Sequence, residues 1–211
     1  MRTDDAPIRW YFDVISPFAY LQWPRVRALM QQAPVQPVPV LLGAILEANG
    51  QLGPAEIPAK RTFTYQHVLW QARQAGVPLV FPPRHPFNPL HALRLCVAAG
   101  VSVQAVDTLF HWIWAEGHAA DSVDALARPR EVLGVPQEAT ESPEVKAVLR
   151  ANTDAAIGAG VFGVPTLAVG SRLFWGNDAH DFAVAAWRDP SVLEADEMRR
   201  VLDLPVGVQR R

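Results

Sequence analysis

The stretch Phe12-Asp13-Val14-Ile15-Ser16-Pro17-Phe18-Ala19-Tyr20 decides how this chain is read. Ile8 to Val14, which leads into it, is an apolar run of the length and composition of a buried strand. Ser16 then supplies the side-chain oxygen that a helix N-cap needs. Pro17 suits the first helical position, where its missing N–H costs nothing. The Ser16 hydroxyl is therefore expected at the positive end of a helix. Far downstream, Gly163-Val164-Pro165-Thr166 opens a second strand, Thr166 to Val169. A cis bond at the proline starting it would turn the backbone of Val164 outward. Ser-Pro alone is an ordinary helix cap, and Gly-Val-Pro-Thr alone says equally little. Their joint occurrence, in this order and each beside a strand, points to an occupied site.

A strand, a capped helix and a distant Val-Pro-Thr strand together resemble the thioredoxin-like fold. In that fold the proline loop lies against the first turn of the active-site helix, which usually carries Cys-x-x-Cys. Here the matching positions are Ser16 and Ala19, so no disulfide can form. Ser16 is a poor nucleophile without a base, and no Gly-x-Ser-x-Gly elbow surrounds it. As a donor backed by a helix dipole it suits an anion such as a thiolate, and it would lower a thiol pKa from about 8.5 toward neutrality. With no cysteine of its own there, the chain needs a ligand thiol, for which glutathione is the candidate.

The rest of the chain divides unevenly. After a helix from about Pro17 to Gln32, Val35 to Leu41 alternates like a strand, and its two prolines confine it to an edge or a bulge. Gly43 to Ala48 reads as a short helical turn and Asn49 to Pro58 as a loop. Helices are expected over Lys60 to Ala75, Pro89 to Ala99, Val123 to Leu133 and Val145 to Ile157. Val103, Val106, Phe110 and Ile113 trace the buried stripe of another. Strands return at Thr166 and at Arg172 to Trp175, and Asp178 is expected to start a helix. The fold class is α/β: a discontinuous thioredoxin-like domain, residues 1–58 and 150–211, carrying an all-helical insertion at 59–149.

Bulk properties narrow the function. The 211 residues carry a net charge near −2 with no broad basic stripe, which argues against nucleic acid or an anionic membrane as principal partner. The acidic N-terminus leads straight into a strand and does not look like a signal peptide, and no apolar run is long enough to span a membrane. The only cysteine, Cys96, lies in an apolar helical run and reads as a buried, inert thiol; with one cysteine no internal disulfide can form, which makes a cytoplasmic location the default. The six histidines match no metal signature. Gly117 is expected to end the helix between His111 and His118, leaving them as capping or core residues. Trp112 and Trp114 are either core or an apolar wall for an aromatic substrate.

The chain resembles the 2-hydroxychromene-2-carboxylate isomerases, relatives of the kappa-class glutathione transferases, over nearly its whole length. Besides the Ser16 stretch, the likeness rests on Leu41-Leu42-Gly43-Ala44-Ile45, Pro58-Ala59-Lys60-Arg61, Phe81-Pro82-Pro83-Arg84-His85-Pro86-Phe87-Asn88-Pro89-Leu90, Gly160 to Thr166, and Phe174-Trp175-Gly176-Asn177-Asp178. The resemblance implies a glutathione cofactor. Ser16 stabilises its thiolate, the Val164 backbone before Pro165 pairs with the tripeptide, and Asn177 and Asp178 hold its glutamyl end. Lys60 lines the site, with Phe18, Trp175 and Gly176 around the cofactor. Where the family often has asparagine in a Thr-Gly-Asn loop this chain has Gln51, with Asn49 two residues earlier. Lys60, Arg84 and His85, with Asn88 nearby, suit a substrate carboxylate. The resemblance further implies a homodimer acting on a small aromatic carboxylate. Its reaction would interconvert 2-hydroxychromene-2-carboxylate and trans-o-hydroxybenzylidenepyruvate, or a larger-ring analogue. A kappa-like transferase and a non-catalytic thioredoxin-like binding module are the competing readings.

Overall fold

The computed structural model describes residues 7–208. Strand β1 (Ile8–Phe12) leads through a turn into α1 (Pro17–Met30), then β2 (Val35–Pro39) and α2 (Leu42–Ala48). A helical run follows: α3 (Pro58–Ala75), α4 (Leu90–Ala98), α5 (Val103–Phe110), α6 (Ala127–Val132), α7 (Gln137–Thr140) and α8 (Pro143–Gly158). The chain closes with β3 (Thr166–Val169), β4 (Arg172–Trp175), α9 (His180–Arg188) and α10 (Asp196–Arg200).

The four strands form one sheet in the order β2-β1-β3-β4, with β1 and β2 parallel and the other pairs antiparallel. The proline-bearing β2 is an edge, as Pro37 and Pro39 require. Period-2 alternation along β1 separates two cores. Trp10 and Phe12 stack on one face with ring centroids 4.6 Å apart, and Trp23 and Phe110 close around Trp10 at 5.1 and 6.3 Å. This core continues without a break into Leu93, Val106, Ile113 and Trp114 of the helical run. Tyr11 points to the other face, where it joins Val38, Val40, Ile45, Ala156 and Val164.

The helical run departs from the sequence pattern in places. Val103 is exposed, because α5 turns Ala105, Val106, Leu109 and Phe110 inward instead. Beyond Phe110 the helix widens into a π turn over His111–Ala115 that buries Ile113 and Trp114. Helix α9 begins at His180, two residues after the expected start at Asp178. His111 stands at the C-cap of α5, and neither it nor His118 is a core residue: both lie at the surface with Nε2 against the Glu116 carboxylate, at 3.3 and 3.2 Å.

Candidate active site

Strand direction brings the site together. The C-terminal ends of β1, β2 and β4 and the N-terminal start of β3 share one edge of the sheet. Tyr11 pairs with Thr166, so the same register carries Val164-Pro165 to the end of β1, where the Ser16 turn starts.

Ser16 is the N-cap of α1, buried, and its Oγ accepts a hydrogen bond from the N–H of Ala19 at 3.2 Å. Pro17 occupies the first turn. The Ser16 O–H meets no acceptor among the described residues, so one donor remains at the positive end of the helix. The Val164–Pro165 bond is cis. The N–H and C=O of Val164 form no hydrogen bond among the described residues, although the residue is buried. Buried backbone groups are ordinarily paired, so an open pair beside an open hydroxyl has the form of a peptide-binding ledge.

The third wall is the turn after β4. The Gly176 N–H donates to Pro165 O at 2.8 Å, and its carbonyl accepts from Nε2 of the fully buried Gln22 at 3.1 Å. Gly176 sits at φ +101, and any Cβ there would strike the Asp178 carboxylate. Arg25 donates to Asn177 O at 3.0 Å and also pairs with Asp181. The Asn177 side-chain Oδ1 is buried without a partner among the described residues. Asp178 is exposed, and Trp175, 53% exposed, lies against Phe162 at 5.4 Å. Gly163 is required beneath that indole, since a Cβ would come within 2.6 Å of Trp175 Nε1.

The turn that presents Ser16 is held from several directions. Asp13, fully buried, accepts from Ile15 N at 3.0 Å and from Leu42 N at 2.9 Å. The Trp114 indole donates to Val14 O at 2.8 Å. His85 Nε2 lies 2.9 Å from Ile15 O, its Nδ1 2.7 Å from the Tyr65 hydroxyl, and that hydroxyl also reaches His85 O at 2.7 Å. Ile15 O only accepts, so Nε2 carries the hydrogen. Burial raises the Asp13 carboxyl to about 7 against its backbone donors, and burial lowers His85 below the ordinary imidazole value.

Other expected site residues fall into two groups. Lys60 is exposed in the first turn of α3 and has no ion-pair partner among the described residues. Gln51 is exposed and its side chain forms no hydrogen bond among the described residues, while Phe18 lies edge-on to His67 at 6.3 Å. The rest meet partners within the chain. Asn49 Nδ2 donates to Ile45 O at 2.8 Å at the end of α2, and Asn88 Oδ1 accepts from Leu90 N at 3.1 Å at the start of α4. Arg84, 81% exposed, stands 3.6 Å from Asp121. His85 would reach a substrate only by releasing Ile15 or Tyr65. Trp112 donates to Ala119 O at 3.1 Å and stacks on His118, away from any role as a bare apolar wall. Cys96 is buried with its thiol pushed up to about 12, an inert group. Among the described residues no cluster of His, Cys, Asp or Glu has metal-binding geometry, and no helix is long and apolar enough to cross a membrane.

Sequence reasoning passed over Asp13, Gln22, Arg25 and Tyr65, each a polar group whose partner lies far away in the chain. A carboxylate in an apolar strand run was the one signal available.

Residues 7–187 match the model of the DSBA-like thioredoxin domain. A 2-hydroxychromene-2-carboxylate isomerase of Pseudomonas putida is 32% identical over 185 residues, covering 81% of this chain and 89% of that protein. The chain belongs to this isomerase family. Glutathione S-transferase kappa 2 of Caenorhabditis elegans is 28% identical, with 75% and 78% of the two chains covered. The solved structure of a 2-hydroxychromene-2-carboxylate isomerase superposes with a TM-score of 0.77 at 29% identity, covering 90% of this chain and 98% of the other. In this chain the DSBA-like thioredoxin frame carries Ser16 and Ala19, with no cysteine, at the start of α1.

Proposed function

We propose that this enzyme is a glutathione-dependent cis-trans isomerase of 2-hydroxychromene-2-carboxylate or a larger-ring aryl analogue, working in the cytoplasm in aromatic-compound breakdown. The observation that carries the reading is the unspent O–H of Ser16 at a helix N-terminus, at the same sheet edge as the unpaired backbone of Val164. Glutathione fits these groups: a thiolate for the Ser16 donor, a peptide backbone for Val164, and a glutamyl ammonium for the orphaned Asn177 Oδ1 and the free Asp178 carboxylate. When bound it supplies the nucleophilic sulfur that opens the ring and is later released.

The chain's own residues do the rest. Ser16 donates toward the sulfur, and the α1 dipole adds to it, which favours the anion near neutral pH. Val164 and the Gly176 turn orient the tripeptide, and Gln22 and Pro165 hold that turn in place. Lys60 supplies a cation for the substrate carboxylate. It keeps the reacting carbon near the sulfur through ring opening and bond rotation, which is a positioning effect. Asp13, Trp114 and His85 fix the peptide groups on which Ser16 stands.

The likeness to a kappa-class transferase supplies a second reading on the same site, in which a conjugate is the end product. Purified protein with glutathione and chromene carboxylate should yield ring-opened benzylidenepyruvate with glutathione conserved. Ser16→Ala should lower kcat/KM by about 10² to 10³, as loss of one donor to a developing anion does. Stable conjugates without ring-opened product would sink the isomerase reading, and absence of glutathione binding by calorimetry would sink both.

A further inference from the structure

A cavity of about 660 Å3 lies between α2, α4 and α8, within the range of about 300–1,000 Å3 usual for small-molecule sites. None of the residues placed around Ser16, Val164 or Gly176 lines it. Its apolar surface comes from Leu41, Ala44, Leu90 and Leu149. The Thr153 hydroxyl accepts from Leu41 N at 3.1 Å and donates to Leu149 O at 2.9 Å, so it has no donor left for a ligand. Recognition is left to charged groups. Three cations, Arg94, Lys146 and Arg150, line the cavity with one acid, Asp154. A second acid, Glu141, ties two of these cations: Arg94 Nη1 donates to its oxygens at 3.1 and 3.2 Å, and Lys146 Nζ lies 3.0 Å from Oε2. His91 Nδ1 stands 3.5 Å from its Oε1. The Lys146 hydrogen bond leads in holding the Glu141 carboxyl below its ordinary value, and the Arg94 charge adds to it. The Arg94 side chain is only 20% exposed, yet its Nε and Nη2 hydrogens meet no acceptor among the described residues. Donors so placed call for an acceptor. Arg150, one turn after Lys146 on α8, forms no ion pair among the described residues, and neither does Asp154.

We propose that this cavity is a second ligand site, separate from the Ser16 site, which takes a small aliphatic carboxylate. Its acid group lies on Lys146, Arg150 and the unspent edge of Arg94, and its chain lies over Leu41, Leu90 and Leu149. Charge and surface select the occupant. The three cations against the two acids Glu141 and Asp154 leave one positive charge, which matches a monoanion better than a phosphate dianion. The floor is leucine and alanine with no aromatic ring on which a flat ligand could stack, so it suits an aliphatic chain. Glu141 occupies, from within the chain, the same donors that the ligand carboxylate would use. The site does not depend on the reading of Ser16 as the thiolate donor.

The test is calorimetric titration of octanoate, with inorganic phosphate as the comparison, into the full chain near neutral pH. Octanoate should bind at one site per chain, and saturating glutathione should leave its affinity unchanged. A variant carrying Lys146→Ala and Arg150→Ala, both exposed side chains, should bind it about tenfold more weakly, a difference of about 1.4 kcal/mol. Thermal unfolding verifies that this variant folds. Glu141→Gln should bind octanoate about threefold more tightly, because the competing carboxylate is gone; a merely destabilised protein would not gain affinity. No octanoate binding by the wild type, or equal affinity in the double variant, would overturn the site. So would weaker binding by Glu141→Gln, or phosphate binding as tight as octanoate. Displacement of octanoate by glutathione would also overturn it, because the ligand would then lie in the Ser16 site. If the wild type fails to bind glutathione, the Ser16 reading falls, while the octanoate titration still decides the cavity.

Discussion

Replacing Asp13 by asparagine probes how the Ser16 turn is held. Asp13 is fully buried, and desolvation outweighs the backbone donors of Ile15, Leu42 and Val14, lifting its carboxyl from 3.8 to about 7. A carboxyl with a higher pKa folded than unfolded holds its proton more tightly in the native state. Its stabilising effect is then complete below about pH 4 and is lost as pH rises through about 7. At about 1.36 kcal/mol per pH unit, the interval from 3.8 to about 7 sets a ceiling of about 4 kcal/mol. His180 acts with the opposite sign. Burial and then the Arg25 charge lower its pKa to about 4, so it gains stability as pH rises toward 6.5. The wild-type pH profile is flattened by this opposition, and the difference between wild type and variant is the informative quantity. The asparagine side chain would set an NH2 group where a carboxylate oxygen now accepts from a backbone N–H, a loss of about 1–3 kcal/mol at every pH. Urea unfolding from about pH 4 to about pH 8 should find the variant the less stable protein in acid, with the difference shifting in its favour by up to about 4 kcal/mol as pH rises, enough to reverse its sign. A gap constant across that range would refute the assignment of a raised carboxyl to Asp13.

Two further outcomes are expected. His85→Phe keeps the ring packing against Trp114 and Phe81 but strands Ile15 O and leaves the Tyr65 hydroxyl only the backbone carbonyl of residue 85, so stability should fall by about 1–3 kcal/mol and kcat should drop more than glutathione affinity. Denaturant titration with steady-state kinetics checks it, and a variant with unchanged kcat would limit His85 to packing. Cys96→Ala should leave isomerisation intact, and native Cys96 should resist thiol reagents near neutral pH because burial pushes its thiol up to about 12; inactivation by the substitution would overturn the ligand-thiol scheme.

The parts of this protein legible in its sequence were those specified by neighbours a few residues apart. The N-cap at Ser16 with Pro17 behind it, the edge position of the proline-bearing β2, the limits of β3 and β4, and the inert burial of Cys96 follow from side-chain periodicity, capping chemistry and the missing N–H of proline. Even the cis bond before Pro165 could be expected from its place at a strand start. The start of α9 could not: Asn177 and Asp178 are good caps, yet the tie from Gly176 to Pro165 and Gln22 holds that turn out of the helix.

Only the tertiary structure decided what each polar group is paired with. Asp13 meets Leu42 across 29 residues, His85 meets Ile15 across 70, Trp114 meets Val14 across 100, and Gln22 meets Gly176 across 154. Arg84, His85, Asn49 and Asn88 are the residue types a carboxylate site needs, and in the fold each also meets a partner within the chain, Asp121, Ile15, Ile45 and Leu90. A sequence records the donors and acceptors a residue carries. A hydrogen bond requires about 3 Å and a defined angle, and only packing of the whole chain sets those, so which donors stay free for a ligand is a property of the fold.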